Sequence, residues 1–164
     1  MSVEFYPSVY RAAQQTALRS EDDSTKVGCI ITAKSGFSLG VGYNQFPKGC
    51  ERTPERCERP AKYAWTVHAE MAAIASMVGQ KWYINKTAHL YSTQIPCSGC
   101  MGVLSMLPID TIFCPNPATL AEKWKLDADI SLEIAKAAGI DVIFIGPEHL
   151  TTPASLFPLQ IPRP

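Results

Sequence analysis

Val67-His68-Ala69-Glu70-Met71 opens a run that continues through Ile74, Ala75 and Val78 to Gly79, and Pro96-Cys97-Ser98-Gly99-Cys100 opens a second, through Val103, Leu104 and Leu107 to Pro108. Both runs repeat apolar residues at helical spacing, so each fragment reads as the start of a helix, with Pro96 at the first helical position. Ala88 to Ser92 between them, and Thr111 to Cys114 after them, read as strands. Upstream, Val27 to Thr32 and Phe37 to Tyr43 are two more strands joined by a Lys34-Ser35-Gly36 turn, preceded by a helix within residues 4–20. Downstream, Asp129 to Ala138 reads as a last helix ended by Gly139, and Ile140 to Ile145, apolar but for Asp141, as a fifth strand. This order predicts an α/β fold: a three-layer α/β/α sandwich with a central five-stranded mixed sheet. It is read as one domain over 1–164, with a core about 4–146 and a Pro-rich tail over 147–164 that wraps the surface or a neighbouring subunit. Met71, Ile74 and Val78 are expected in the core, and residues 44–62 form a long polar loop of the kind that often carries function.

The chain has 164 residues, 46% hydrophobic and 18% charged, which suits one globular domain. Its 15 basic and 15 acidic residues cancel. A protein gripping a polynucleotide usually carries a basic excess, so the balance favours a small substrate. The N-terminus MSVEFYPSVYRAAQ lacks the basic lead and apolar segment of a secretory signal, and no stretch approaches the roughly 20 apolar residues that span a bilayer. The expected location is the cytoplasm, where a Cys-x-x-Cys pair is more often metal-binding or redox-active than a disulfide.

Cys97 and Cys100, three apart, share one face of a helical turn, so both sulfurs can reach one ion. At a helix N-terminus the partial positive charge favours the thiolates that zinc requires. His68 and Glu70, two apart, would diverge by about 200° in mid-helix, so they converge only on a first turn. One imidazole and two thiolates leave a fourth zinc position open for water, as in catalytic sites. That water needs a carboxylate to take its proton, and Glu70 is placed to do so. Cys-x-x-Cys alone would fit a redox pair or buried thiols, and His-x-Glu alone means little. Their joint placement at two helix starts points to Zn²⁺ on His68, Cys97 and Cys100, with Glu70 catalytic; the pair of motifs is the signature of zinc deaminases.

Three further blocks narrow this: Arg19-Ser20-x-Asp22-x-Ser24-Thr25-Lys26-Val27-Gly28, then Gly42-Tyr43-Asn44-x-Phe46-Pro47-x-Gly49, then Thr53-Pro54-Glu55-Arg56-x-Glu58-Arg59-Pro60-x-Lys62-Tyr63-x-Trp65 leading into His68. Over roughly residues 8–146 the chain resembles the deoxycytidylate (dCMP) deaminases of the cytidine deaminase-like superfamily. The resemblance implies hydrolysis of dCMP to dUMP with release of ammonia, a zinc-activated water attacking cytosine C4 while Glu70 protonates N3 and then the leaving amine. It implies substrate contacts from Asn44 to base and sugar, from the Ala69 N–H to O2, and from a backbone carbonyl around Ile95 to the exocyclic amine. It also implies a homohexamer activated by dCTP and inhibited by dTTP, with Mg²⁺ accompanying the nucleotide. Glu21 stands where many members carry Lys, so phosphate recognition must come from elsewhere: Lys125 beside Trp124 is one candidate, and Arg52, Arg56 and Arg59 are others. Ala72 and Met101-Gly102 also depart from the family pattern without touching the zinc chemistry. These departures leave another cytosine nucleotide, dCTP or a C5-modified dCMP, as an alternative substrate; a catalytically silent zinc-binding interaction subunit is the alternative of a different class.

Cys29 and Cys114 are expected as buried thiols, His89 as a structural histidine and His149 as a solvated one. Cys50 and Cys57, in the long loop, could hold a second zinc, but no well-spaced histidine completes that set. The run from Lys48 to Lys62 holds five basic and three acidic residues. It reads equally as a solvated loop or an anion-binding wall.

Overall fold

The computed structural model describes residues 3–80, 87–150 and 158–159. In chain order the elements are β1 (Val3–Glu4), α1 (Pro7–Ala17), β2 (Gly28–Ala33), β3 (Ser38–Tyr43), α2 (Pro54–Cys57), α3 (Ala61–Trp65), α4 (Ala69–Gly79), β4 (Ala88–Ser92), α5 (Ser98–Leu104), β5 (Ile109–Cys114), α6 (Glu122–Ala137), β6 (Asp141–Phe144) and β7 (Pro158–Leu159). The main sheet has the order β3-β2-β4-β5-β6. β2 runs antiparallel to both β3 and β4, whereas β4, β5 and β6 run parallel. This is the expected five-stranded mixed sheet.

Alternation along the strands sends side chains to two cores. Cys29, Ile31, Leu90, Ile112 and Cys114 join Ala69, Ala73, Met101, Leu104, Ala128 and Ala135 of α4, α5 and α6 in one layer. Tyr91 and Phe113 point the other way and stack at 4.6 Å, with Phe5 and with Tyr10 of α1 around them. Helices therefore cover both faces, giving the three-layer sandwich. Cys29 and Cys114 are buried thiols, as expected. His89 is 3% exposed, with Nε2 at 3.5 Å from Asp110 Oδ1.

The core face of α4 differs from the expected stripe. Ala69, Ala72, Ala73 and Met77 are buried, whereas Val78 is 61% exposed. The cause lies in β3: a Cβ on Gly40 would strike the Ala73 carbonyl, and one on Gly42 would strike the backbone of Ala69 and Ala73. Two glycines thus let α4 lie directly on the strand, and the small alanine face fits that gap better than the bulky one.

Other differences have local reasons. α6 begins at Glu122 rather than Asp129, because Leu126, 71% exposed, hides the periodicity of its first turns. The loop over 44–62 contains α2 and runs into α3; neither buries a residue, so neither shows an apolar stripe. Gly139 follows α6 at φ 72°, the left-handed conformation expected of a helix stop. His149 is not solvated: Nδ1 accepts from the Gly146 N–H at 3.0 Å, and its ring meets Phe5 edge-on at 6.2 Å. Of the tail, Pro147–Leu150 forms a short 3₁₀ turn and β7 pairs antiparallel with β1; residues 151–157 and 160–164 lie outside the described residues, so the wrapping expected of the whole tail is not described.

Gly42→Ala must push α4 off β3. We expect a loss of about 1–3 kcal/mol, the usual range for overpacking, measured by urea unfolding, whereas Gly102→Ala, where an added Cβ meets nothing within 4 Å, should be near neutral.

Candidate metal centre and active site

His68 is the N-cap of α4, with extended backbone (φ −68°, ψ 154°), and Glu70 is its second residue. This is the first-turn placement that lets residues two apart converge. Cys97 is likewise the N-cap of α5, at φ −67° and ψ 164°. Pro96 therefore precedes the cap rather than occupying the first helical position. The reason is visible in the sulfur: Cys97 Sγ accepts from the Cys100 N–H at 3.4 Å, the capping role that an oxygen usually fills.

The two caps face one another. His68 Nδ1 lies 3.3 Å from Cys97 Sγ and 3.4 Å from Cys100 Sγ, and the three donor atoms all lie within 4.8 Å of one another. Tetrahedral zinc with bonds of about 2.0 Å to nitrogen and about 2.3 Å to sulfur separates such donors by about 3.5 Å. The donor set and its spacing thus fit zinc. The two sulfurs do not behave alike. The hydrogen bond with Cys100, outweighing burial and helped by His68, lowers Cys97; the same shared proton, with burial and the nearby Glu70 carboxylate, raises Cys100. A cation that displaces the shared proton satisfies both sulfurs. Among the described residues this is the one group of three such ligands, and Cys50 and Cys57 fall outside it.

Glu70 is 3% exposed, and its Oε1 accepts from Ser92 Oγ, at the end of β4, at 3.1 Å. Burial raises its carboxyl, while the Ser92 hydrogen bond and the His68 charge work against that rise. A carboxyl pushed up beside a cleft is suited to giving and taking protons. Ser92, an unmarked serine at a strand end, was not singled out in the sequence and had no spacing signal to reveal it.

A cavity of about 180 Å³ opens on His68, Glu70 and Cys97, and Asn44, Ala69, Ile95 and Trp124 also line it. Lys125 is not among the lining residues and pairs with Glu122 at 2.6 Å. The lining cations are Arg59 and Lys62. Tyr63 meets Trp124 edge-on at 5.6 Å across the same wall. A second cavity of about 330 Å³ adjoins it, sharing Asp22, Asn44, Arg59, Lys62 and Thr66, and adds Glu21 and Arg52. Glu21 is paired there with Arg52 at 3.3 Å. Arg56 instead lies over the Trp65 ring at 4.3 Å, outside both linings.

Asn44 is buried, and its side chain is partly committed to the fold: Oδ1 accepts from the Val27 N–H and Nδ2 donates to the Thr25 carbonyl, both at 2.8 Å. It braces the turn where Asp22 meets Lys62 at 2.8 Å and accepts from the backbone of Ser24 and Thr25. Burial would raise the Asp22 carboxyl, but the hydrogen bonds from Lys62, Ser24 and Thr25 win and hold it at about 2, below its ordinary 3.8. Because the folded value is the lower one, this group stabilises the fold above the unfolded pKa and ceases to do so as pH falls through the folded one. The stability advantage of the wild type over Asp22→Asn, read by urea unfolding, should be full above pH 3.8 and shrink as pH approaches 2.

Residues 4–115 match the family model described as the cytidine and deoxycytidylate deaminase zinc-binding region. An uncharacterized deaminase from the luxG 3′ region of Aliivibrio fischeri is 27% identical over 137 residues, covering 83% of this chain and 90% of that one. A probable deoxycytidylate deaminase of Caenorhabditis elegans is 33% identical over 107 residues, 63% of this chain and 53% of the relative's length. In fold, the chain is similar to a dCMP deaminase from the cyanophage S-TIM5, solved in complex with dCMP and dUMP: the TM-score is 0.67 at 20% identity, over 84% of this chain and 94% of that one. The helix-capping His/Cys/Cys cluster lies within the matched region, and the chain belongs to the cytidine and deoxycytidylate deaminase family.

Proposed function

We propose that the protein is a zinc-dependent dCMP deaminase, converting dCMP and water to dUMP and ammonia. The observation that carries this reading is the buried Glu70 carboxyl, held by Ser92 and opening with the three-ligand cluster onto one cavity. A structural zinc site has no use for such a group and would take a fourth protein ligand. Zinc on His68 Nδ1, Cys97 Sγ and Cys100 Sγ supplies Lewis-acid activation of water.

The chain's own residues do the rest. Glu70 takes one proton from the attacking water and gives it to cytosine N3, then takes the remaining proton from the new C4 hydroxyl and delivers it to the amine as the C4–N bond breaks and C4=O forms. The Ala69 N–H, unused at the start of α4, donates to O2. The Ile95 carbonyl accepts from the exocyclic amine, and the free capacity of the Asn44 amide turns to the base and sugar. Trp124 and Tyr63 form a wall beside the base, and Arg59 faces the phosphate, joined by Lys62 only where it shares its charge with Asp22. Lys125, already paired with Glu122, takes the phosphate only by leaving that partner.

The same reading carries the hexamer, dCTP activation, dTTP inhibition and Mg²⁺ accompanying the effector. Size-exclusion chromatography with and without dCTP and Mg²⁺ tests them; a monomer under every condition removes that part.

For the chemistry, the zinc-loaded protein is incubated with dCMP, dCTP, CMP and deoxycytidine, and loss of the cytosine absorbance is followed. Preferred turnover of dCMP is expected, falling by about 10²–10⁴-fold in Glu70→Gln, the typical contribution of a general acid–base group, with zinc content retained. Unimpaired turnover in that variant overturns the role of Glu70. A wild type inactive on all four compounds, with or without dCTP, overturns the enzyme reading.

A further inference from the structure

Apart from the three ligands, the turn that carries both sulfurs is tied at two points to a single face of α6. Ser131, fully buried, donates from Oγ to the Pro96 carbonyl at 2.7 Å. Asp127 accepts with Oδ2 from the Ser98 N–H at 3.2 Å and with Oδ1 from Ser98 Oγ. The two residues are four apart, hence stacked on one face of the helix, and their contacts fall on the residues immediately before and after Cys97. That face is anchored by Ala128 and Ala135, 2% and 1% exposed.

Neither contact is needed to form α5 as a helix, since Cys97 caps it with its own sulfur. What the contacts fix is the direction in which the turn enters. A rotation about Pro96 or Ser98 would swing Cys97 Sγ away from His68 Nδ1, now 3.3 Å distant. It would also leave the buried Pro96 carbonyl and the half-buried Asp127 carboxylate without these partners, which is costly above all for the carbonyl.

We propose that Asp127 and Ser131 are positioning residues that hold the Pro96–Ser98 turn so that Cys97, Cys100 and His68 reach one zinc ion, setting metal affinity without touching the metal. The inference rests on the zinc reading of the site but not on dCMP being the substrate. Asp127 also lines the cavity, so the competing role is a direct contact to substrate. Both of its oxygens are already engaged by Ser98, which favours the positioning role.

The test uses the full chain as Asp127→Asn, Ser131→Ala, Ser98→Ala and the Asp127→Asn/Ser98→Ala double variant. Zn²⁺ affinity is measured by chelator competition, the Co²⁺-substituted form by its thiolate charge-transfer absorption, and dCMP turnover as separate KM and kcat. Asp127→Asn and Ser131→Ala are each expected to weaken zinc binding by about 10–100-fold, the usual effect of removing an outer partner of a metal site. They should shift the cobalt bands and leave KM unchanged, and the loss in the double variant should fall short of the sum of its two single changes, because both act on the Asp127–Ser98 side-chain contact. Wild-type zinc affinity and cobalt bands in both Asp127→Asn and Ser131→Ala overturn the proposal, and a raised KM as the sole change makes Asp127 a substrate contact. A fall in the stability of the zinc-free form with zinc affinity kept also overturns it, leaving a structural role only. Ser131→Ala removes one hydroxyl and keeps the question open to measurement should Asp127→Asn fold poorly. If the wild type fails to turn over dCMP, the metal arms still decide this inference and only the functional proposal falls.

Discussion

The direct seating of α4 on β3 is the contact on which the rest depends. Gly40 and Gly42 remove the side chains that would hold helix and strand apart, and Ala69 and Ala73 meet them from the helix side. Close packing of this kind leaves no slack: a helix resting on strand backbone has one allowed height and nearly one rotation. The first turn of α4 is therefore fixed in space, and with it His68 at the cap and Glu70 one turn-edge further in. A looser, bulkier interface would bury α4 as well and place its N-terminus less exactly.

The second half of the site reaches the same point by a different route. α5 is short, and its position comes from the turn before it, capped by the Cys97 sulfur and tied to α6. Two independently held helix starts thus meet over the end of β4, where Ser92 holds the Glu70 carboxyl. Polar groups in this region are engaged with one another rather than left open: Asn44 with the 25–27 backbone, Lys62 with Asp22, Glu21 with Arg52. Such mutual engagement stiffens the cavity wall while leaving the side facing His68, Glu70 and Cys97 open.

Much of this is legible in the amino-acid sequence. Strand and helix order follow from apolar periodicity, and β4 spans the very residues expected, Ala88 to Ser92, all five of them buried. The long loop was not resolved into α2 and α3, since helices that bury nothing carry no stripe to read. The early start of α6 was hidden for the related reason that Leu126 faces solvent. The His68, Cys97 and Cys100 cluster is legible because metal binding demands particular residue types at particular spacings, a constraint local to a few residues of chain.

Identity and spacing alone therefore specified His68, Glu70, Cys97 and Cys100, their places on two helix starts, and the class of chemistry they allow. Tertiary structure alone specified which face of α4 is core, that Ser92 meets Glu70 while Asp127 and Ser131 tie the turn around Cys97, and that Arg59 and Lys62 rather than Lys125 line the cavity. The division is physical. Ligand spacing and helix caps are set within one or two turns of chain, so they are written in adjacent residues. A serine 22 residues from Glu70, or an aspartate 29 residues from Ser98, acquires its role only when packing closes the distance.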